Sequence, residues 1–158
     1  MEKRALITGI NGFVGPYLKA ELEQNSCVVF GLGRESKESS AHYYQVDIAD
    51  AQKVHDAVQE VKPTHVFHLA GISSPPFAEE HPELTYDVHV KGTGNLLDAC
   101  TKLSIPPRLL IVGSSYVYGK PRYLPIDERH PLEGIGVYTA SRIAQEELVQ
   151  TFMDRLPI

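Results

Sequence analysis

Short apolar runs and amphipathic stretches alternate along the chain. Ala5-Leu6-Ile7, held between Arg4 and Thr8, is too short a run for a helix and predicts a buried strand over residues 3–8. A glycine-rich stretch then leads into a helix predicted near 13–25, with Pro16 in the first turn, where its missing N–H costs little. Cys27-Val28-Val29-Phe30 predicts a strand over 27–32, and a short one follows at 43–48. Over 50–61, Val54, Ala57, Val58 and Val61 recur at helical spacing and form one buried stripe. Residues 64–69 read as a further strand. Ser73-Ser74-Pro75-Pro76 reads as a loop, leading to a long helix from about 81 with Leu84, Val88, Gly92, Leu96, Ala99 and Leu103 along one side. Pro106-Pro107 ends that helix, a strand is expected over 108–113, and a proline-punctuated loop reaches a last helix near 136–155. Strands alternating with helices, without linker or repeat, predict one α/β domain over residues 1–158. Its sheet is parallel and doubly wound, with helices on both faces and any ligand at the carboxyl ends of the strands.

Composition narrows the chemistry. The 158 residues are 42% hydrophobic and 22% charged, enough for a sizeable core. A formal charge of −5 without any lysine or arginine run argues against nucleic acid and anionic membrane as partners. No apolar stretch is long enough to span a bilayer, and Met-Glu-Lys-Arg leads straight into a strand, so a cytoplasmic location is expected. Cys27 and Cys100 lack companion ligands and read as packed, reduced thiols; no metal site is expected.

The turn after the first strand is the most specific feature. Gly9, Gly12 and Gly15, with Asn11, Phe13 and Val14 between them, stand between a strand and a helix as GxxGxxG. Such a turn lets the backbone approach a pyrophosphate while the helix N-terminus receives the anion. A dinucleotide is therefore expected. An acid ending the second strand would hold a free ribose 2′-hydroxyl; here that position is Gly33, followed by Arg34. A guanidinium suits planar, bidentate phosphate recognition, so NADP(H) is expected in preference to NAD(H).

A second constellation lies farther along. Tyr138 and Arg142 are four residues apart on the last helix, hence on one face, and a cation there favours the phenolate form that proton transfer passes through. Ser114, at the end of the strand over 108–113, could hydrogen-bond the same substrate oxygen.

With these residues in view, the chain resembles the amino-terminal half of the extended short-chain dehydrogenase/reductases that act on nucleotide sugars, which have a Rossmann-like fold. The glycine motif, Asp47-Ile48, His68-Leu69-Ala70-Gly71, Gly92-Thr93-Gly94-Asn95, Ser114 with Val117-Tyr118-Gly119, and Pro125-Ile126-Asp127-Glu128 follow the family order. The resemblance implies pyrophosphate at Gly9–Gly15, adenine at Asp47 and Ile48, and the inner ribose near Leu69, Ala70 and Gly71. Ser114 and Tyr138 would polarise and protonate the sugar oxygen, and Arg142 would hold ribose. Ser73 and Ser115 fall where relatives touch the sugar. Family dehydratases carry acids just after the catalytic hydroxyl residue; Ser115 and Tyr116 stand there, which disfavours dehydration.

The motif wording is most similar to the GDP-4-keto-6-deoxymannose reductases, which make GDP-rhamnose by hydride transfer to C4. Two alternatives remain: an NAD-dependent nucleotide-sugar epimerase, and a truncated cofactor-binding domain without turnover. Arg142 replaces the family lysine, keeping charge and donors in a broader fork. His89 replaces the family asparagine, either as a satisfied helix histidine or as a proton relay. The later strands and most of the sugar pocket are expected from a second half, which would leave the strand over 108–113 at a sheet edge. The helices near 81–104 and 136–155 resemble those that pair across a family homodimer. Phe77, Tyr43 and Tyr44 are expected to be packing residues.

Overall fold

The computed structural model describes residues 2–35 and 42–158. Five parallel strands form one sheet: β1 (Arg4–Thr8), β2 (Val28–Gly33), β3 (Tyr43–Gln45), β4 (His65–His68) and β5 (Arg108–Ile111), in the order β3-β2-β1-β4-β5. The order reverses at β1, so a crevice opens between the β1 and β4 ends, the expected place for a ligand in such a sheet. Leu6 faces the larger core with Val54, Val58, Val66 and Leu96, while Ile7 turns to the opposite face with Ile10 and Val29. That alternation is the pleat of a strand buried on both sides.

The faces are unequally covered. Helix α1 (Gly15–Gln24) lies over β1 and β2, whereas α2 (Ala51–Val61), α5 (Gly92–Thr101) and α6 (Val137–Gln150) bear on the larger core. Val54, Ala57, Val58 and Val61 of α2 are all buried, as their spacing requires. On the α1 side, Leu110 and the following Val112 stay exposed. β5 is the expected edge strand, but one rung of its outer side is met: Leu109 N–H donates to the Pro157 carbonyl at 2.9 Å.

Two expectations are corrected. Ser73–Pro76 is not simply a loop: Ser74 caps a short helix α3 (Pro75–Glu80), and Pro75 and Pro76 occupy first-turn positions that need no N–H donor. The long helix is interrupted as well, running as α4 (Pro82–Tyr86), a π-turn over Asp87–Lys91, and then α5. In that turn Gly92 N–H reaches back to the Asp87 carbonyl, five residues away. The wider turn rotates the buried stripe, so Leu84 is exposed while Thr85, Val88 and His89 face inward. Among the described residues no helix is long and apolar enough to cross a membrane.

Candidate functional site

The glycine turn is built as a cradle. Gly9 has φ +68°, and a Cβ there would stand 2.8 Å from the Ala70 backbone. A Cβ on Gly15 would lie 1.9 Å from the Ile10 carbonyl oxygen, so only glycine lets α1 start against the turn. Gly12 N–H closes the turn on the Gly9 carbonyl at 2.9 Å. Asp50 and Ser74 cap α2 and α3, and Glu79 accepts Val137 N–H at 2.6 Å to cap α6 from a distant segment. Helix α1 has no such cap and no acid in its first turn. Its leading N–H groups point outward without an intrahelical acceptor, an arrangement that suits an anion.

A cleft runs from this turn along the strand ends. Gly9, Arg34, Asp47, Ile48, Ala70 and Gly71 line it together with Phe77, whose ring also packs against His81. Ile48 is fixed by Asn95, whose amide donates to its carbonyl at 3.0 Å, and Gly92 leaves room for the Ile48 side chain 2.6 Å from where a Cβ would stand. Several sequence candidates lie outside the cleft. Leu69 packs against the Ile7 and Ile10 cluster, Phe13 and Val14 are exposed just before α1, and Ser73 is exposed before α3. Asn11 turns its amide toward the Glu35 carbonyl and the Tyr43 hydroxyl.

Ser114, Tyr138 and Arg142 converge at the other end. Tyr138 donates to Ser114 Oγ at 3.4 Å, and the Arg142 guanidinium lies 5.5 Å from the Tyr138 ring centre. Tyr138 is held edge-on between Tyr116 and His89, each with ring centres 5.8 Å away. Ser115 and Tyr116 line an adjoining depression with Lys120, Ile126, Glu133 and Thr139, so that the chain neighbours of Ser114 and Tyr138 form part of its wall.

Arg142 is buried without an ion pair among the described residues. Its charge is solvated by dipoles: Nη1 donates to Gln145 Oε1 at 2.9 Å and the Val112 carbonyl at 3.3 Å, and Nη2 to the Ile72 carbonyl at 3.4 Å. Nη2 lies 2.7 Å from where a Gly71 Cβ would stand, so glycine at 71 makes room for the fork. Nε is buried with no partner, a donor left open for a ligand oxygen. Burial also pushes the Glu146 carboxyl upward against the opposing pull of Arg142.

Beneath the site the proton positions are determined by elimination. Thr93 spends its hydroxyl on the His89 carbonyl at 2.5 Å, so its oxygen accepts from Gln145 Nε2 at 2.8 Å and from His68 Nε2 at 2.9 Å. His68 Nδ1 accordingly accepts from Thr8 at 2.7 Å. Ser141 spends its hydroxyl on the Tyr138 carbonyl, so His89 Nδ1 donates to Ser141 at 2.8 Å, while Nε2 lies 3.0 Å from both the Ile72 amide nitrogen and the Ile72 carbonyl oxygen. Burial, reinforced by Arg142, pushes His68 down to about 3 and His89 down to about 4. Both His89 nitrogens find partners inside the protein, which accords with the satisfied helix histidine. Glu79, His68, Thr93, Ser141 and Gln145 were not assigned as site residues, although His68 and Thr93 stand inside motifs of the family order.

The sequence profile of the NAD dependent epimerase/dehydratase family matches residues 5–155. A putative UDP-glucose 4-epimerase of Methanocaldococcus jannaschii is 29% identical over 156 residues, 93% of this chain and 50% of that protein. The crystal structure of Thermus thermophilus UDP-glucose 4-epimerase complexed with NAD superposes with a TM-score of 0.84 at 28% identity, over 96% of this chain and 51% of that one. That of a Bacillus anthracis dTDP-4-dehydrorhamnose reductase in complex with NADP gives 0.83 at 27%, over 99% and 52%. The chain therefore spans about half the length of these relatives.

Proposed function

The chain belongs to the NAD dependent epimerase/dehydratase family, and on that footing we propose that it supplies the cofactor half of an NADP(H)-preferring reductase of a nucleotide-activated 4-keto-6-deoxy sugar, of the GDP-4-keto-6-deoxymannose type. The observation that carries the reading is the meeting of Ser114, Tyr138 and Arg142 beside the depression at the strand ends, with Ser115 and Tyr116, not acids, following Ser114. The glycine cradle and the open Arg142 Nε fit a dinucleotide. When bound, the reduced nicotinamide supplies a hydride.

The chain's own residues do the rest. Uncapped α1 takes the pyrophosphate, Asp47 and Ile48 flank the adenine, and Arg142 offers donors to the ribose. Ser114 hydrogen-bonds the sugar carbonyl, and Tyr138 gives its phenolic proton to that oxygen as it gains charge; positioned proton transfer of this kind is worth about 10²- to 10⁴-fold. The resulting phenolate is stabilised by the Arg142 charge over the ring. The activity belongs to the assembled site, with sugar contacts contributed by segments like those the relatives carry outside the matched half.

The experiment is cofactor stoichiometry in the natural protein carrying this chain. GDP-4-keto-6-deoxymannose should oxidise free NADPH mole for mole. A second reading, an NAD-dependent epimerase that returns the hydride to the sugar, is supported by the names of the epimerase relatives. Retained NAD that cycles without net change would favour it and overturn the reductase reading.

A further inference from the structure

The glycines that end β2 serve a neighbouring side chain. Gly31 and Gly33 pair with Tyr43 and Gln45 of β3. A Cβ on Gly31 would meet the Ile10 side chain at 2.7 Å and the Tyr43 ring at 3.2 Å, and one on Gly33 would meet the Tyr43 hydroxyl at 2.9 Å. Two bare positions therefore let Tyr43 lie across β2. Its hydroxyl donates to the Glu35 carbonyl and accepts from Asn11 Nδ2 at 3.0 Å. Asn11 gives its other amide hydrogen to the same carbonyl at 2.7 Å, and Gln45 Nε2 donates to the Arg34 carbonyl at 3.0 Å. The hydrogens of this clasp are each used once, and both carbonyls of Arg34-Glu35 are anchored.

We propose that Tyr43, assisted by Asn11 and Gln45, is a specificity-determining positioning residue: its hydroxyl keeps a carboxylate from position 33 and fixes the Arg34–Glu35 backbone so that Arg34 meets a ribose 2′-phosphate. A carboxylate at 33 would grip a ribose diol and repel a 2′-phosphate. Any side chain there would have to displace the Tyr43 hydroxyl, so the clasp disfavours that alternative. The same clasp ties the ribose loop to the pyrophosphate turn, since Asn11 lies between Gly9 and Gly12. Arg34 lines the cleft and is exposed; an exposed arginine keeps many rotamers, and anchoring its backbone on both sides restricts where its guanidinium reaches. The inference rests on the NADP(H) preference proposed above.

The test titrates the protein with adenosine 2′,5′-bisphosphate and with 5′-AMP, two probes that differ only by the 2′-phosphate. The parent should bind the 2′-phosphorylated probe at least about tenfold more tightly than 5′-AMP, and Arg34→Ala should erase the difference. Tyr43→Phe keeps the ring and removes the hydroxyl. It should lower the ratio by about three- to tenfold while leaving 5′-AMP affinity within about twofold. Gln45→Met, at an exposed site, should lower the ratio in the same direction. A parent with the preference that both Tyr43→Phe and Gln45→Met retain in full overturns this inference alone. A parent indifferent to the 2′-phosphate overturns the NADP(H) reading and this inference with it.

Discussion

Individual residues here carry demands that their chemistry makes explicit. Gly15 has nowhere to put a methyl group, because the obstacle is the Ile10 backbone and not a flexible side chain. Gly15→Ala should cost about 3 kcal/mol or more, the upper end of overpacking penalties, read as a lower urea midpoint with unchanged slope. The buried histidines give a pH dependence whose sign is fixed. Their folded values of about 3 and about 4 lie below the ordinary imidazole value of 6.5, so below that value the unfolded chain binds more protons. The stability they contribute is complete above pH 6.5 and is lost progressively as pH falls toward about 4 and then about 3, a loss on the order of a few kcal/mol. Urea midpoints across that window should fall, and His89→Asn should fall less steeply than the parent. Parallel slopes would contradict the neutral-histidine assignment.

At the scale of elements, the periodic patterns were legible and the long-range ones were not. The stripe of α2 and the apolar runs of β1, β2 and β4 follow local spacing, and the structure places them within a residue or two of expectation. The glycine turn, Ser114, Tyr138 and Arg142 were legible for the same reason: each is announced by a short motif at an element boundary. The π-turn was not, because its cause is tertiary, with His89 drawn inward to Ser141 and Ile72 and Thr93 bonded back to the His89 carbonyl. The cap of α6 was hidden for a related reason. Gly136 offers no side chain, and the carboxylate that substitutes comes from Glu79, in a stretch whose prolines suggested a loop. Glu79→Ala should destabilise the fold by about 1–2 kcal/mol, and Glu79→Gln, which keeps an oxygen acceptor, by less. Thermal or urea unfolding of the two variants checks the order; equal losses would argue that packing of Glu79, not its oxygen, supports α6.

For the whole molecule, one arrangement organises the rest: the sheet order reverses at β1, Gly9 of the glycine turn and Arg34 line the cleft at the strand ends, and Arg142 of the Tyr138 helix bonds to the Ile72 carbonyl in its wall. The phosphate-binding end and the proton-donating end are built on different elements. Cofactor affinity and chemistry should therefore separate on mutation. Tyr138→Phe in the natural protein carrying this chain is the most direct test, because it removes one hydroxyl whose only partner among the described residues is Ser114 at 3.4 Å and leaves the cradle untouched. The account predicts that reduction of GDP-4-keto-6-deoxymannose falls by about 10²- to 10⁴-fold while NADPH affinity stays within about twofold. A variant that still reduces the sugar at the parental rate would contradict it.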